Sequence, residues 1–177
     1  AASPKSNLSG WRMPAEWEPH GGTWISWPWN LDTFPDGKLK NVEEIYLQMI
    51  EALTIGEKVF LLVNDEKTEE NVRKRLKKST NERNLFIYQI HTEDVWFRDY
   101  GPIFVTRDSD GKKEIAMTHW IFNAWGNKWP PLDHDTVIPE KIEKIIEVPR
   151  FPIDMVLEGG SIDVNGKGTL MTTEQVR

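Results

Sequence analysis

Apolar positions along this chain follow two periods, one helical and one strand-like, broken by polar loops rich in Trp, Pro and Gly. Residues 11–22 (WRMPAEWEPHGG) have no period and read as a loop, and Thr23 to Trp27 is a short β-rich run stopped by Pro28. After a loop from Asn30 to Gly37, Val42, Ile45, Tyr46, Met49, Ile50 and Leu53 recur at three- and four-residue steps. That spacing predicts one helical face, with Asn41 as N-cap and Gly56 as stop. Val59 to Val63 is continuously apolar and of strand length, the mark of a buried strand. Glu66 to Lys78 is charged, with Val72 and Leu76 as its anchors, and predicts an exposed helix; Leu85 to Ile90 is the next strand.

The second half opens with a loop, Asp94 to Pro102, and a strand, Ile103 to Thr106. Asp108-Ser109-Asp110-Gly111 signals a hairpin, answered by Glu114 to Ile121. A loop from Phe122 to Asp135 precedes a third helical face, Val137, Ile138, Ile142, Ile145 and Ile146. Met155 to Leu157 runs into a Glu-Gly-Gly turn, and Ile162 to Val164 with Thr169 to Thr172 forms a last hairpin. The order places the chain in the α/β class. Strand, polar loop and helix recur at a roughly constant interval, a weak internal repeat. No linker interrupts residues 11–175, so one structural region is expected, with Ala1 to Gly10 as a disordered leader. Because the last strand has nothing after it to cover an edge, the expectation is part of a domain rather than a whole one.

Composition narrows the function classes. At 177 residues the chain can build one real core, and a mean hydropathy of -0.54 with no membrane-length apolar run fits a soluble protein, expected to be cytoplasmic although the absence of cysteine leaves the compartment open. A net charge of -6 without like-sign blocks argues against nucleic acid or an anionic membrane and is compatible with a cationic ligand, although ordinary solubility accounts for the charge by itself. The sequence has no cysteine, which removes disulfides, thiolate metal sites and thiol catalysis together. His20, His91, His119 and His134 lack metal-ligand spacing, so neither a metal nor another cofactor is expected. Nine Trp are present, five of them between Trp11 and Trp29, and packing is the default reading for most.

Two carboxylates stand in settings suited to a planar cation. Asp99 precedes Gly101-Pro102, which forces a sharp turn, and has Trp96, Phe97 and Tyr100 beside it. Such a loop supports bidentate hydrogen bonding and cation–π contact. The plainer alternative makes Asp99 a turn cap with Arg98 as its ion partner. Glu158 ends an apolar strand, and Gly159 and Gly160 permit close backbone approach or positive φ. It reads equally as a site carboxylate or as a cap. Trp125 either lines the same cavity or packs.

Five ordered motifs carry a resemblance. They are Met13-Pro14-Ala15-Glu16-Trp17-Glu18-Pro19-His20, Thr23-Trp24-Ile25-Ser26-Trp27-Pro28, Asp94-Val95-Trp96-Phe97-Arg98-Asp99-Tyr100-Gly101-Pro102, Phe122-Asn123-Ala124-Trp125-Gly126 and Leu157-Glu158-Gly159-Gly160-Ser161. Together they resemble the agmatine deiminase family, near relative of the bacterial-type peptidylarginine deiminases. The resemblance implies a five-bladed pseudosymmetric α/β propeller of which this chain is two or three blades. It implies hydrolysis of agmatine to N-carbamoylputrescine and ammonia by a cysteine thiolate, with a histidine as acid and base and carboxylates on the guanidinium. Asp99 and Glu158 match those carboxylates and Trp96 the substrate-wall tryptophan. The family's cysteine, catalytic histidine and second aspartate lie in its C-terminal half, and Val176-Arg177 stands where relatives continue with Cys-Leu. The chain alone is therefore expected to be inactive. Its expected partners are the guanidinium substrate and a C-terminal half or second chain, with a homodimer left open. A non-catalytic guanidine-binding or trans-complementing module, and a peptidylarginine deiminase, are the competing readings.

Overall fold

The computed structural model describes residues 8–174, so most of the expected leader and the last three residues lie outside the described residues. The chain divides into two compact units, one formed by Pro19–Phe97 and the other by the segments before and after it.

The Pro19–Phe97 unit is a three-stranded parallel sheet in the order β1-β2-β3, with β1 at Thr23–Ser26, β2 at Val59–Val63 and β3 at Leu85–Gln89. Parallel neighbours need crossovers, and helices α1 (Lys38–Leu53) and α2 (Glu66–Arg75) supply them. The unbroken apolar run of β2 takes the central place, where both faces are covered. Ile25, Leu61, Val63 and Leu85 pack with Leu47 and Ile50 of α1 and Val72 of α2. On another face Trp24 stacks on Phe60 at 4.7 Å and on Tyr88 at 5.8 Å, so this tryptophan serves packing. Asp65 caps α2 by accepting from the Thr68 amide at 2.7 Å.

Helix α1 departs from its expected start and face. It begins three residues before Asn41, after Gly37 in a left-handed conformation (φ 75°), because Pro35-Asp36-Gly37 turns the chain into the helix sooner. The buried side runs through Tyr46, Leu47 and Ile50, while Ile45 and Met49, expected inside, are exposed.

In the second unit β4 (Ile103–Ser109) and β5 (Lys112–Ile121) form an antiparallel hairpin whose Asp110-Gly111 corner takes φ of 50° and 76°, a primed turn. β6 (Arg150–Val156) runs parallel to β5 as the outer strand, and β7 (Ile162–Val164) pairs with β8 (Leu170–Thr172) in a separate hairpin. Two segments expected as loops contain helical turns: α3 (Phe97–Tyr100) inside 94–102, and α4 (Ala124–Asn127) inside 122–135, whose end runs into a 3-10 turn (Leu132–Val137) that takes in Val137 as well. Helix α5 (Ile138–Ile146) follows, burying Ile138 and Ile142 as its period predicts.

The β5–β6 register slips near the site: His119 faces Pro152, but Ile121 faces Val156. Proline donates no ladder hydrogen bond and is tolerated on an outer strand, and the extra β6 residues re-aim the chain just before Glu158. Among the described residues no helix is long and apolar enough to cross a membrane.

Candidate active site

Two turns of the second unit dock flush, and both candidate carboxylates sit on them. Asp99 lies on α3; Glu158 ends the β6 segment and starts the turn Gly159–Ser161. The Gly160 amide donates to Asp99 Oδ1 at 3.1 Å, and Arg98 Nε donates to the Gly159 carbonyl at 3.0 Å. A Cβ on Gly159 would stand 2.3 Å from the Arg98 carbonyl oxygen, and one on Gly160 would stand 2.3 Å from Asp99 Oδ1. Of the two reasons the sequence offers for this glycine pair, close approach is the one realised.

Arg98 is not the ion partner of Asp99. Its guanidinium reaches Glu16 of the N-terminal loop and the Gly159 carbonyl. That loop is in turn fixed by Arg12, which grips both Glu18 oxygens at 2.7 and 2.8 Å and holds the Glu18 carboxyl down at about 2, first by its hydrogen bonds. Among the described residues the structural ion pairs are thus spent around the site, and none reaches its carboxylates.

Glu158 is only 3% exposed, and its Oε1 is buried without a hydrogen-bond partner. Burial pushes its carboxyl above the ordinary range, against a hydrogen bond from its own backbone amide, and the charge of Asp99 pushes the same way as burial. Burial also raises Asp99, against the Gly160 amide and Arg98, which favour its ionised form. Two desolvated acceptors with upward-shifted carboxyls form a site that a donor-bearing cation would relieve, since a planar guanidinium offers charge and paired N–H groups together.

Trp125 reaches this neighbourhood through a chain of rings. It meets Phe122 edge-on at 5.2 Å, and Phe122 meets Tyr100, the residue after Asp99, at 5.9 Å. Its backbone is unusual: Ala124, Trp125, Gly126 and Asn127 have φ of 52°, 55°, 79° and 59°. The Asn127 amide bonds the Asn123 carbonyl at 2.7 Å and the Lys128 amide bonds that of Ala124 at 3.1 Å, closing one left-handed helical turn. Each non-glycine residue there costs about 1–2 kcal/mol, so tertiary contacts must impose the turn. Trp96 belongs to the Pro19–Phe97 unit and is 43% exposed. The structure thus brings Asp99, Glu158 and Trp125 into one unit and leaves Trp96 on the other. The supporting role of Glu16 has no sequence signal except its charge, because its partner Arg98 is far away in the chain.

A groove of about 620 Å³ lined by Trp11, Arg107, Glu114, Ile115, Pro149 and Phe151 shares no residue with the carboxylate pair.

Residues 12–177 match the sequence model of the Porphyromonas-type peptidyl-arginine deiminase. An agmatine deiminase of Medicago truncatula is 37% identical over 175 residues, covering 94% of this chain and 45% of that protein. One from Pseudomonas aeruginosa is 38% identical over 171 residues, with 94% and 44% covered. A solved agmatine deiminase of Enterococcus faecalis superposes with a TM-score of 0.84 at 33% identity, covering 99% of this chain and 47% of that one. The mixed α/β fold is thus that of agmatine deiminase structures, and the chain spans a little under half the length of the relatives it matches. On the family match over nearly its whole length, the chain belongs to the Porphyromonas-type peptidyl-arginine deiminase family.

Proposed function

We propose that this chain carries the guanidinium-holding side of an agmatine deiminase, forming two or three blades of a five-bladed propeller. The observation that carries the reading is Glu158, buried with a bare Oε1 close enough to Asp99 to feel its charge. Asp99 and Glu158 accept the substrate's N–H groups, while Trp125 walls a planar face. A thiolate attacks the guanidinium carbon, ammonia leaves with a proton from a histidine, and water then releases the carbamoyl product from sulfur. The sequence holds no cysteine, so the sulfur comes from outside these 177 residues, either a C-terminal half or a second chain. Agmatine is preferred because the relatives at 37–38% identity are agmatine deiminases; the family description favours peptidyl-arginine as the second reading.

A denaturing intact-mass spectrum of natively purified, agmatine-hydrolysing material tests the division of labour. A second polypeptide, or a parent of about twice 20.6 kDa, supports it. A single 20.6 kDa species that turns agmatine over sinks it, because that species has no thiol. Competition between agmatine and an arginine-containing peptide in the same assay separates the two substrates.

A further inference from the structure

The left-handed turn at Trp125 needs an external hold, and one histidine outside the carboxylate pair connects to it through a short chain of contacts. His119 Nε2 lies 2.7 Å from the Thr136 carbonyl oxygen. A carbonyl only accepts, so Nε2 carries the proton and Nδ1 is the bare nitrogen. Nδ1 in turn accepts from Arg150 Nη1 at 2.9 Å. The Thr136 side chain completes the link, its Oγ1 accepting from the Phe122 amide at 3.0 Å. Phe122 immediately precedes the turn, its ring meets Trp125 edge-on, and the Asn123 side chain accepts from the Gly126 amide at 2.8 Å. A path of direct contacts therefore joins the imidazole to the Trp125 ring.

We propose that His119, through Thr136 and Phe122, is a positioning residue that clamps the left-handed turn and so sets the place of Trp125. The neutral imidazole is the only form that fits. A proton on Nδ1 would face the Arg150 guanidinium, removing a hydrogen bond and opposing two cations. The charged groups facing this ring are Arg150 of β6 and Glu140 and Glu143 of α5, with buried Asp135 beside Thr136 in the 3-10 turn. Arg150 is itself held by Glu143 at 2.7 Å and by Glu140 at 3.8 Å, so it cannot swing away without breaking those pairs. Burial first, and Arg150 next among the lowering influences, keep His119 below the ordinary imidazole range despite the Thr136 carbonyl and the two glutamates. Acid therefore opens the clamp. Its relevance to substrate rests on the reading of Trp125 as a site wall; the clamp itself does not.

NMR on the intact chain tests it, with the Trp125 indole assigned by Trp125→Phe and followed between about pH 5 and pH 8 beside the Phe122 and Gly126 amides. The expected result is one shared step at the His119 midpoint, below about 6.5. His119→Gln, which keeps a donor for Thr136 and an acceptor for Arg150, should retain amide protection and lose the step. His119→Ala should displace the indole signal and speed Phe122 exchange at every pH; if it does not fold, the glutamine variant carries the test. An indole signal that ignores His119 titration, or a step that survives in His119→Gln, overturns the clamp. Agmatine affinity of Trp125→Ala is a separate readout: unchanged affinity removes the wall reading and leaves the clamp standing.

Discussion

Two carboxylates of this chain are almost equally buried and do opposite things. Asp94, at 1% exposure, accepts from the Thr33 hydroxyl and from the Val95 amide at 2.8 Å, fastening the loop after β3 to the loop before α1. Glu158, at 3%, keeps an oxygen with no donor. A buried acid with its donors in place is a structural fastener, and one without them costs folding free energy that only a ligand's donors can return. Burial does not mark a functional carboxylate; the inventory of donors around it does.

The comparison breaks most sharply under substitution of the site acids. In an assembly that supplies the thiolate, Asp99→Asn and Glu158→Gln should each lower kcat/KM by about 2–5 kcal/mol, the usual cost of removing one partner of a desolvated charge pair. That is a loss of roughly 30- to 4,000-fold. Near-parental turnover of Asp99→Asn would end the guanidinium assignment.

The glycine pair comes next. Gly159→Ala drives a Cβ into the Arg98 backbone, which cannot swing aside, so it should destabilise by about 1–3 kcal/mol in a denaturant titration. Gly160→Ala meets only the Asp99 carboxylate, which can rotate. It should leave stability closer to parental and weaken agmatine binding instead. Equal stability losses in both variants would show that the two turns dock less tightly than these distances require.

Smaller still is the contrast in stability between the two acids. Asp94→Ala strands the Thr33 and Val95 donors and should cost about 1–3 kcal/mol. Glu158→Gln removes an unpartnered charge and should raise Tm. A lower Tm for Glu158→Gln would mean that Glu158 has an ionic partner after all.

What the chain discloses on its face is what local chemistry decides. Val59–Val63 is a central strand because nothing polar interrupts it, the Asp110-Gly111 corner forms from residues that tolerate positive φ, and α5 buries Ile138 and Ile142 where its apolar period puts them. The Gly159-Gly160 pair offers close approach or positive φ, and the structure takes the first. Hidden features are those imposed from a distance. Ala124, Trp125 and Asn127 have no intrinsic preference strong enough for a left-handed turn, and the hydrogen bonds that force it arrive from Thr136 and, behind it, β5. The α1 face is not legible in its period because Ile45 and Met49 continue the apolar spacing onto the exposed side, whereas Leu47 packs into the sheet core. Sequence shows only adjacency, which pairs Arg98 with Asp99; its ion partner in the structure, Glu16, lies 82 residues away.

The smallest expected effect sharpens the comparison through pH. The carboxyls of Glu158 and Asp99 are raised in the folded state, so over the window from about 4, the ordinary carboxylate value, up to their folded values the native chain holds more protons than the unfolded one. Stability must then fall as pH rises through that window, the reverse of the usual acid behaviour. Glu18, held down at about 2, works below the window and with the opposite sign, its contribution being lost as pH falls. His119, lowered by burial, acts with the opposite sign to the two acids, so the carboxylate slope must be read as the difference between the parental chain and Glu158→Gln. Parallel Tm-against-pH curves for the two would remove the upward shift of Glu158. Agmatine adds a second check, because a cation binds the ionised form. Its affinity should strengthen as pH rises across the same window in the parental chain and lose part of that dependence in Glu158→Gln, a pattern that Asp94, with its donors already in place, should not reproduce.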